Sequence, residues 1–414
     1  MISIFILWSL VGLRSEPQIL NLDLGTTAEE YREIISKKNL TSESWLKEAD
    51  PFLEILRIGA RNLEWKKRIH ISSFGISSIL NGAPELSFAG IELPFTWGPR
   101  DILLRYNELM QSMPEAMKQI LLAQDDFFPD PPPVSVEDFF GNSAKLDRIY
   151  ELASRWVLTR DSLPYFEREK VRDVRGYYFL QKTEDLQFKL KDFSRLNEED
   201  RVRFQDWLKG LCLNGTKSEA SCETQWQKLN LNSEDVWSFY QTYLPAGQSA
   251  WDSFFKITSK RVDLRWSENP LEAFIPFEKP KSAATANWVR DSIESLWRFE
   301  DWKLNLQWTS FNFFGFKPYI KWEAGATAHV NGLGSSRITL DKNRSLSEQS
   351  WTLAHEFGHV LGFPDCYLEF YDSENEEIIS YQIDYGDLMC SRSGRFLKRH
   401  FLELQEAYGP HASR

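Results

Sequence analysis

Two histidines with a glutamate between them stand near the C-terminal end of the chain, in His355-Glu356-Phe357-Gly358-His359. On a helix, positions i and i+4 share one face, so both imidazoles can reach a single metal ion. Zinc takes imidazole nitrogens at ~2.0–2.1 Å and suits such a pair. Glu356 points about 100° round the helix from its neighbour, so it is better placed to hold a water than to join the ligands. Gly362 follows, and glycine ends a helix cheaply in the left-handed conformation. The chain can then turn back and aim Asp365 at the metal. Three protein ligands and one open position describe a catalytic zinc site rather than a structural one. Glu376, Glu377 and Glu403 are rival third ligands. His329 and His400 are further imidazoles, read as residues of an edge strand and of a C-terminal helix.

The histidine helix must be held on its opposite side. Ser345-Leu346-Ser347-Glu348 fits a capping box. Leu346, Leu353, Phe357 and Val360 share the face turned away from the histidines. From about Arg261 onward the pattern alternates between strand and helix. Val262–Trp266, Leu304–Trp308, Tyr319–Trp322, Thr327–Asn331 and Arg337–Asp341 read as strands, and Ser282–Phe299 reads as a helix. Residues 18–260 are mostly helical in pattern. Thr27-Ala28-Glu29-Glu30 and Asn197-Glu198-Glu199-Asp200 look like helix starts. Pro51 marks a kink or a boundary, and residues 72–97 read as loops. Asp130-Pro131-Pro132-Pro133 excludes a helix and suggests a subdomain boundary. The expected organisation is a segment 1–16, helical subdomains 17–130 and 134–260, and an α+β domain 261–414. His70 is the one histidine before residue 260 and reads as structural.

With 414 residues, 42% of them hydrophobic, and 16 Trp, the chain can build large cores and does not have the composition of a disordered protein. A net charge of −11 disfavours nucleic acid and anionic membrane surfaces as partners. The apolar run from Met1 to Leu13 resembles the core of a secretory signal, without a preceding basic residue or an A-x-A site. It is too short for a stable membrane span. Cys212, Cys222, Cys366 and Cys390 make an even count, which fits an exported (secreted or periplasmic) protein with disulfides. A Cys212–Cys222 bond would close a short local loop.

The sequence His355-Glu-x-x-His359-x-x-Gly362-x-x-Asp365 resembles the metzincin zinc peptidases, and is most similar to the snapalysin branch, which has Asp where most metzincins have a third His. Gly386-Asp387-Leu388-Met389-Cys390 resembles the Met-turn of that family. The resemblance covers about the last 150 residues. It implies a mixed twisted sheet with an active-site helix and a C-terminal helix. It also implies one catalytic Zn2+ on His355, His359 and Asp365, which favours Asp365 over its rivals, and Met389 beneath the ligands. Glu356 becomes the general base, and Tyr367 a candidate for steadying the oxyanion. Thr327, Ala328, His329, Val330 and Asn331 become the edge strand to which a substrate adds. A Cys366–Cys390 bond would then pin the two loops that shape the floor of the site.

These expectations describe a zinc endopeptidase acting on a peptide or protein substrate. Two other readings stand beside it. One is a helical interaction protein with an inactive protease-like domain; the other is a zinc amidase acting on a non-protein substrate such as a cell-wall peptide. The carboxylates of Asp372–Glu377 could also hold Ca2+, although a solvated acidic loop is the favoured reading. Residues 17–260 are either a propeptide or a permanent domain.

Overall fold

The computed structural model describes residues 26–37, 50–69, 90–231, 234–268, 271–310 and 316–410. The expected signal segment, His70 and most of the 72–97 loop region lie outside them. The architecture is α+β, with a helical N-terminal region and several small sheets near the C-terminus.

The first helical body contains α1 (Ala28–Lys37), α2 (Pro51–Arg68), β1 (Phe95–Trp97), α3 (Pro99–Ser112), α4 (Glu115–Leu122), α5 (Val136–Thr159) and α6 (Leu163–Glu169). Thr27 and Glu30 form a reciprocal cap at the start of α1. Pro51 begins α2 rather than kinking it. Asp50 caps that helix by accepting from the Phe52 amide, and proline at the first helical position gives up only an amide that has no partner there. Gly59 lets α2 and α5 approach closely, because a Cβ there would overlap the Tyr150 ring. The core of this body runs from Ala28 to Phe166. The prolines at 131–133 therefore interrupt the helices but not the core, and α5 packs back on α2 beyond them. Proline removes a helical conformation; it does not decide which core the chain rejoins.

The second helical body contains α7 (Arg175–Lys182), α8 (Leu186–Lys191), α9 (Glu198–Thr216), α10 (Glu219–Trp226) and α11 (Asp235–Asp252) around a separate core from Tyr177 to Tyr240. Asn197 caps α9 through the Asp200 amide. Cys212 and Cys222 are bonded, tying α9 to α10 with Cα atoms 5.8 Å apart.

The C-terminal part contains β2 (Arg265–Glu268), β3 (Leu271–Glu278), α12 (Ala283–Glu294), β4 (Arg298–Phe299), β5 (Trp302–Thr309), β6 (Tyr319–Glu323), β7 (His329–Val330), β8 (Arg337–Asp341), α13 (Ser350–Val360), β9 (Tyr367–Asp372), β10 (Glu377–Gln382) and α14 (Lys398–Tyr408). One sheet has the order β2-β3-β5-β4, with β3 and β5 parallel and α12 crossing between them. A second has the order β6-β8-β7. Leu353, Phe357 and Val360 of α13 are fully buried in this core, while Leu346 stays at its margin. The capping box at Ser345 forms, but it opens a short 3₁₀ turn, and the α-helix begins only at Ser350.

The third sheet joins the two halves of the chain. Its order is β1-β10-β9, so a strand from the first helical body pairs with the hairpin that follows Asp365. Ile378 of that hairpin is buried in the helical core, and Ile91 and Val174 are buried in the C-terminal one. The Tyr381 hydroxyl donates to Asp173 at 2.8 Å and accepts from the Val174 amide at 3.1 Å. Arg155 of α5 is buried against Glu369 of β9, which also accepts from Ser380 at 2.7 Å. Removing one partner of a buried ion pair leaves the other charge uncompensated. Arg155→Met is therefore expected to cost about 3–5 kcal/mol of unfolding free energy in urea, and adding Glu369→Leu should recover most of it. Additive losses in the double variant would show that the pair does not couple the two halves.

Candidate metal centre

Helix α13 presents His355 and His359 on one side, one turn apart. The His355 Nδ1 lies 3.0 Å from the Leu388 carbonyl oxygen, and the His359 Nδ1 lies 2.8 Å from that of Phe363. A carbonyl can only accept, so each Nδ1 carries a hydrogen, and in its neutral form each ring turns a bare Nε2 lone pair outward. Both lone pairs face Asp365, whose Oδ1 is 3.2 Å from the His355 Nε2 and 3.3 Å from the His359 Nε2. Two ligand atoms on a tetrahedral zinc with arms of ~2.0–2.1 Å stand roughly 3.3 Å apart. Asp365 Oδ1 is buried and receives no geometrically sound hydrogen bond. Three electron-rich atoms within 4.8 Å of one another need protons or a cation among them, and the donor set and the two distances to Asp365 fit zinc.

The turn that delivers Asp365 depends on Gly362, which has φ +95°. A Cβ there would meet the Ser259 carbonyl oxygen, so both conformation and space require glycine. The Phe363 amide donates to the Gly358 carbonyl at 3.0 Å and completes the reversal. Cys366 is bonded to Cys390, and its amide donates to the Met389 carbonyl at 3.2 Å, so the Asp365 loop and the Met389 loop are tied both covalently and through the backbone. The Met389 sulfur packs against Gly358 so closely that any side chain there would collide with it. Gly358, between Glu356 and His359, is thus what admits the methionine.

Two further residues shape this floor without touching the ligand set, and spacing does not single out either for the role. Asp387 is buried and accepts from the Met389 amide at 2.6 Å and from Arg399 Nε at 2.7 Å. His400, on α14, accepts from the Leu397 amide at its Nδ1 at 2.8 Å, so its Nε2 carries the hydrogen and donates to Asp387 at 3.0 Å. His400 therefore serves the turn, with both ring nitrogens engaged there. Glu403 is likewise engaged, accepting from the Ile257 amide at 2.7 Å. Glu376 pairs with Arg100 in the β9–β10 turn, and Glu377 lies in β10. The Asp372–Glu377 stretch is thus the exposed end of a hairpin packed on the helical body, in keeping with a solvated acidic loop. Among the described residues its carboxylates do not converge as a cation site would require. Asp372 instead accepts from the Glu374 amide at 3.1 Å and from Asn375 at 2.9 Å.

The metal centre opens into a cleft of about 440 Å³. Thr327, Ala328, His329 and Val330 line it, as do Glu356 and Tyr367. The expected edge strand is shorter than its sequence suggested. Only His329 and Val330 pair with β8, and Asn331 turns into an exposed bend. Residues 326–328 are not in strand conformation, and the His329 Nδ1 lies 2.8 Å from the Thr327 carbonyl oxygen. Strand β7 is nevertheless at the sheet edge. Glu356 is buried, and its Oε2 has no hydrogen-bond partner. The chain matches no family model, no curated protein and no solved structure.

Electrostatics in the metal-free protein follow from this packing. Burial alone would lower the His359 pKa, but Asp365 and Glu356 beside it override that and raise it to about 9. Burial lowers and Asp365 raises the His355 pKa, with a net upward shift. Burial raises the Glu356 carboxyl. Burial opposes ionisation of Asp365, but the two imidazoles win and hold it far below the usual carboxylate range. Below about pH 9 zinc must displace a proton from the His359 imidazole, so its affinity should rise with pH, about tenfold per unit for that proton, and the His359 contribution should level off above that value. Chelator competition from pH 6 to 10 measures this; a flat profile would mean that the metal goes elsewhere. At fixed pH, Asp365→Ala should weaken zinc binding at least ~100-fold, whereas Glu376→Ala, Glu377→Ala and Glu403→Ala should leave it within about twofold.

Proposed function

We propose that this chain is a zinc-dependent peptidase of the metzincin type, acting on extended peptides at the cleft beside His355 and His359. The observation that carries this reading is the meeting of His355 Nε2, His359 Nε2 and Asp365 Oδ1 at zinc spacing, next to a buried carboxylate with a free oxygen. Zinc bound there would lower the pKa of a water towards ~7 and polarise a substrate carbonyl.

The remaining roles fall to the chain itself. The Leu388 and Phe363 carbonyls orient the imidazoles through Nδ1 and hold the tautomer that ligation needs. The Glu356 carboxylate takes a proton from the attacking water and returns it to the leaving amine. Strand β7 offers its outer edge to an extended main chain, which fixes the scissile bond over the site. Tyr367 lines the cleft two residues beyond Asp365 and is proposed to steady the developing oxyanion. The helical body with an inactive site remains the rival reading, and the unpaired Glu356 Oε2 weighs against it. A site that only bound zinc would not need a second buried carboxylate oxygen without a partner.

Export is part of the proposal. Two disulfides support it, and among the described residues no helix is long and apolar enough to cross a membrane.

The deciding comparison is zinc-loaded wild type against Glu356→Ala on a mixed peptide library, with metal content measured in both. Glu356→Ala should keep its zinc and lose roughly 10²–10⁴-fold in hydrolysis. Zinc-loaded wild type that cleaves no peptide would sink the peptidase reading.

A further inference from the structure

Helix α1 belongs to the helical body by its packing, yet its other face borders the metal cleft. Tyr31 and Ile35 are buried in the helical core, and the Ala28 amide donates to Glu151 at 2.9 Å. On the opposite side Glu30 pairs with Arg344, and the Lys37 ammonium donates to the Gly325 carbonyl at 3.0 Å. A Cβ on Gly325 would overlap that ammonium group. Glu30, Glu33 and Ile34 face the cleft beside Gly325 and Ala326. The helical body cannot easily withdraw α1, because β1 pairs with β10 and Arg155 is buried against Glu369. Helix α1 is therefore a strut across the end of the cleft nearest Gly325.

The opposite end differs. Beyond Val330 the chain bends through Asn331 and Gly332, both exposed, and the space where a Gly332 Cβ would stand has no neighbour within 4 Å among the described residues. Antiparallel pairing is the commoner arrangement of two strands. A peptide added antiparallel to β7 runs from the Val330 side towards Gly325. Its N-terminal part lies at the open end, and its C-terminal part meets α1.

We propose that α1 is a substrate-length determinant: it stops the C-terminal side of the bound peptide, so the site takes peptides close to their C-terminal ends. This rests on the peptidase reading and narrows it from cleavage anywhere along a chain to release of short C-terminal fragments. It also makes the helical region a working part of the cleft rather than a segment to be discarded.

The test uses the full chain, zinc-loaded, and a short peptide taken from the library that it cleaves. One series lengthens that peptide at its C-terminus with Gly-Ser residues, and the other lengthens it at its N-terminus. Hydrolysis is followed in wild type, and binding in Glu356→Ala by fluorescence anisotropy. Six added C-terminal residues should lower both kcat/KM and affinity at least ~10-fold, while six N-terminal residues should change them less than about twofold. The double variant Glu30→Ala/Lys37→Ala, checked for folding by circular dichroism, should recover much of the loss. Equal tolerance of both extensions, or the reverse preference, overturns the length determinant and leaves the peptidase reading intact. The wild-type series decides this even if the double variant does not fold. A folded double variant with unchanged discrimination assigns the barrier to something other than α1 and overturns the inference. No cleavage by wild type, together with no binding by Glu356→Ala, fails the peptidase reading and the length determinant with it.

Discussion

Two imidazole lone pairs and a carboxylate oxygen cannot share a buried space without something positive between them. That constraint organises the C-terminal half of this protein. The backbone carbonyls of Leu388 and Phe363 take the Nδ1 hydrogens, which leaves the Nε2 lone pairs directed at Asp365. The site is therefore built with its repulsion already in place, and the surrounding structure has to hold it there. In the metal-free protein the strain is met by protons, which is why the imidazoles titrate high and the aspartate low.

What holds it is a set of short connections between two loops. The Gly362 turn, the Cys366–Cys390 bond and the packing of Met389 on Gly358 bring the end of α13 and the Met389 loop into one unit. Asp387 and His400 anchor that unit to α14. Each is a local device, but they work together only because α13 is backed by an apolar core in which Leu353, Phe357 and Val360 are inaccessible to water.

The same segment that carries Asp365 continues into the β9–β10 hairpin, and that hairpin belongs as much to the helical body as to the metal centre. Backbone pairing with β1, burial of Ile378 and the Arg155–Glu369 pair all cross the same junction. Buried contacts of these three kinds are costly to break together, so the helical region is coupled to the position of Asp365. Its first helix also borders the cleft that His355, His359 and Asp365 line.

The i, i+4 histidines, the glycine and the aspartate were legible in the amino-acid sequence because they depend on helical periodicity and one turn, both local properties. So were the helix caps at Thr27 and Asn197, and most strands of the two C-terminal sheets. The roles of Asp387 and His400 were not, because each matters only through a partner that the fold brings near. The proline tract at 131–133 was legible as a break but not as a passage within one core, since proline restricts a backbone angle and carries no information about distant burial. The acidic run from Asp372 to Glu377 was legible as a solvated loop, and residues 373–376 are the exposed turn of the β9–β10 hairpin; that the strand after it pairs with β1, some 280 residues earlier, was not legible. Sequence alone determined which atoms could hold a metal. Tertiary packing decided which of the rival carboxylates faces them and what stands across the cleft, because those depend on contacts between segments far apart in the chain.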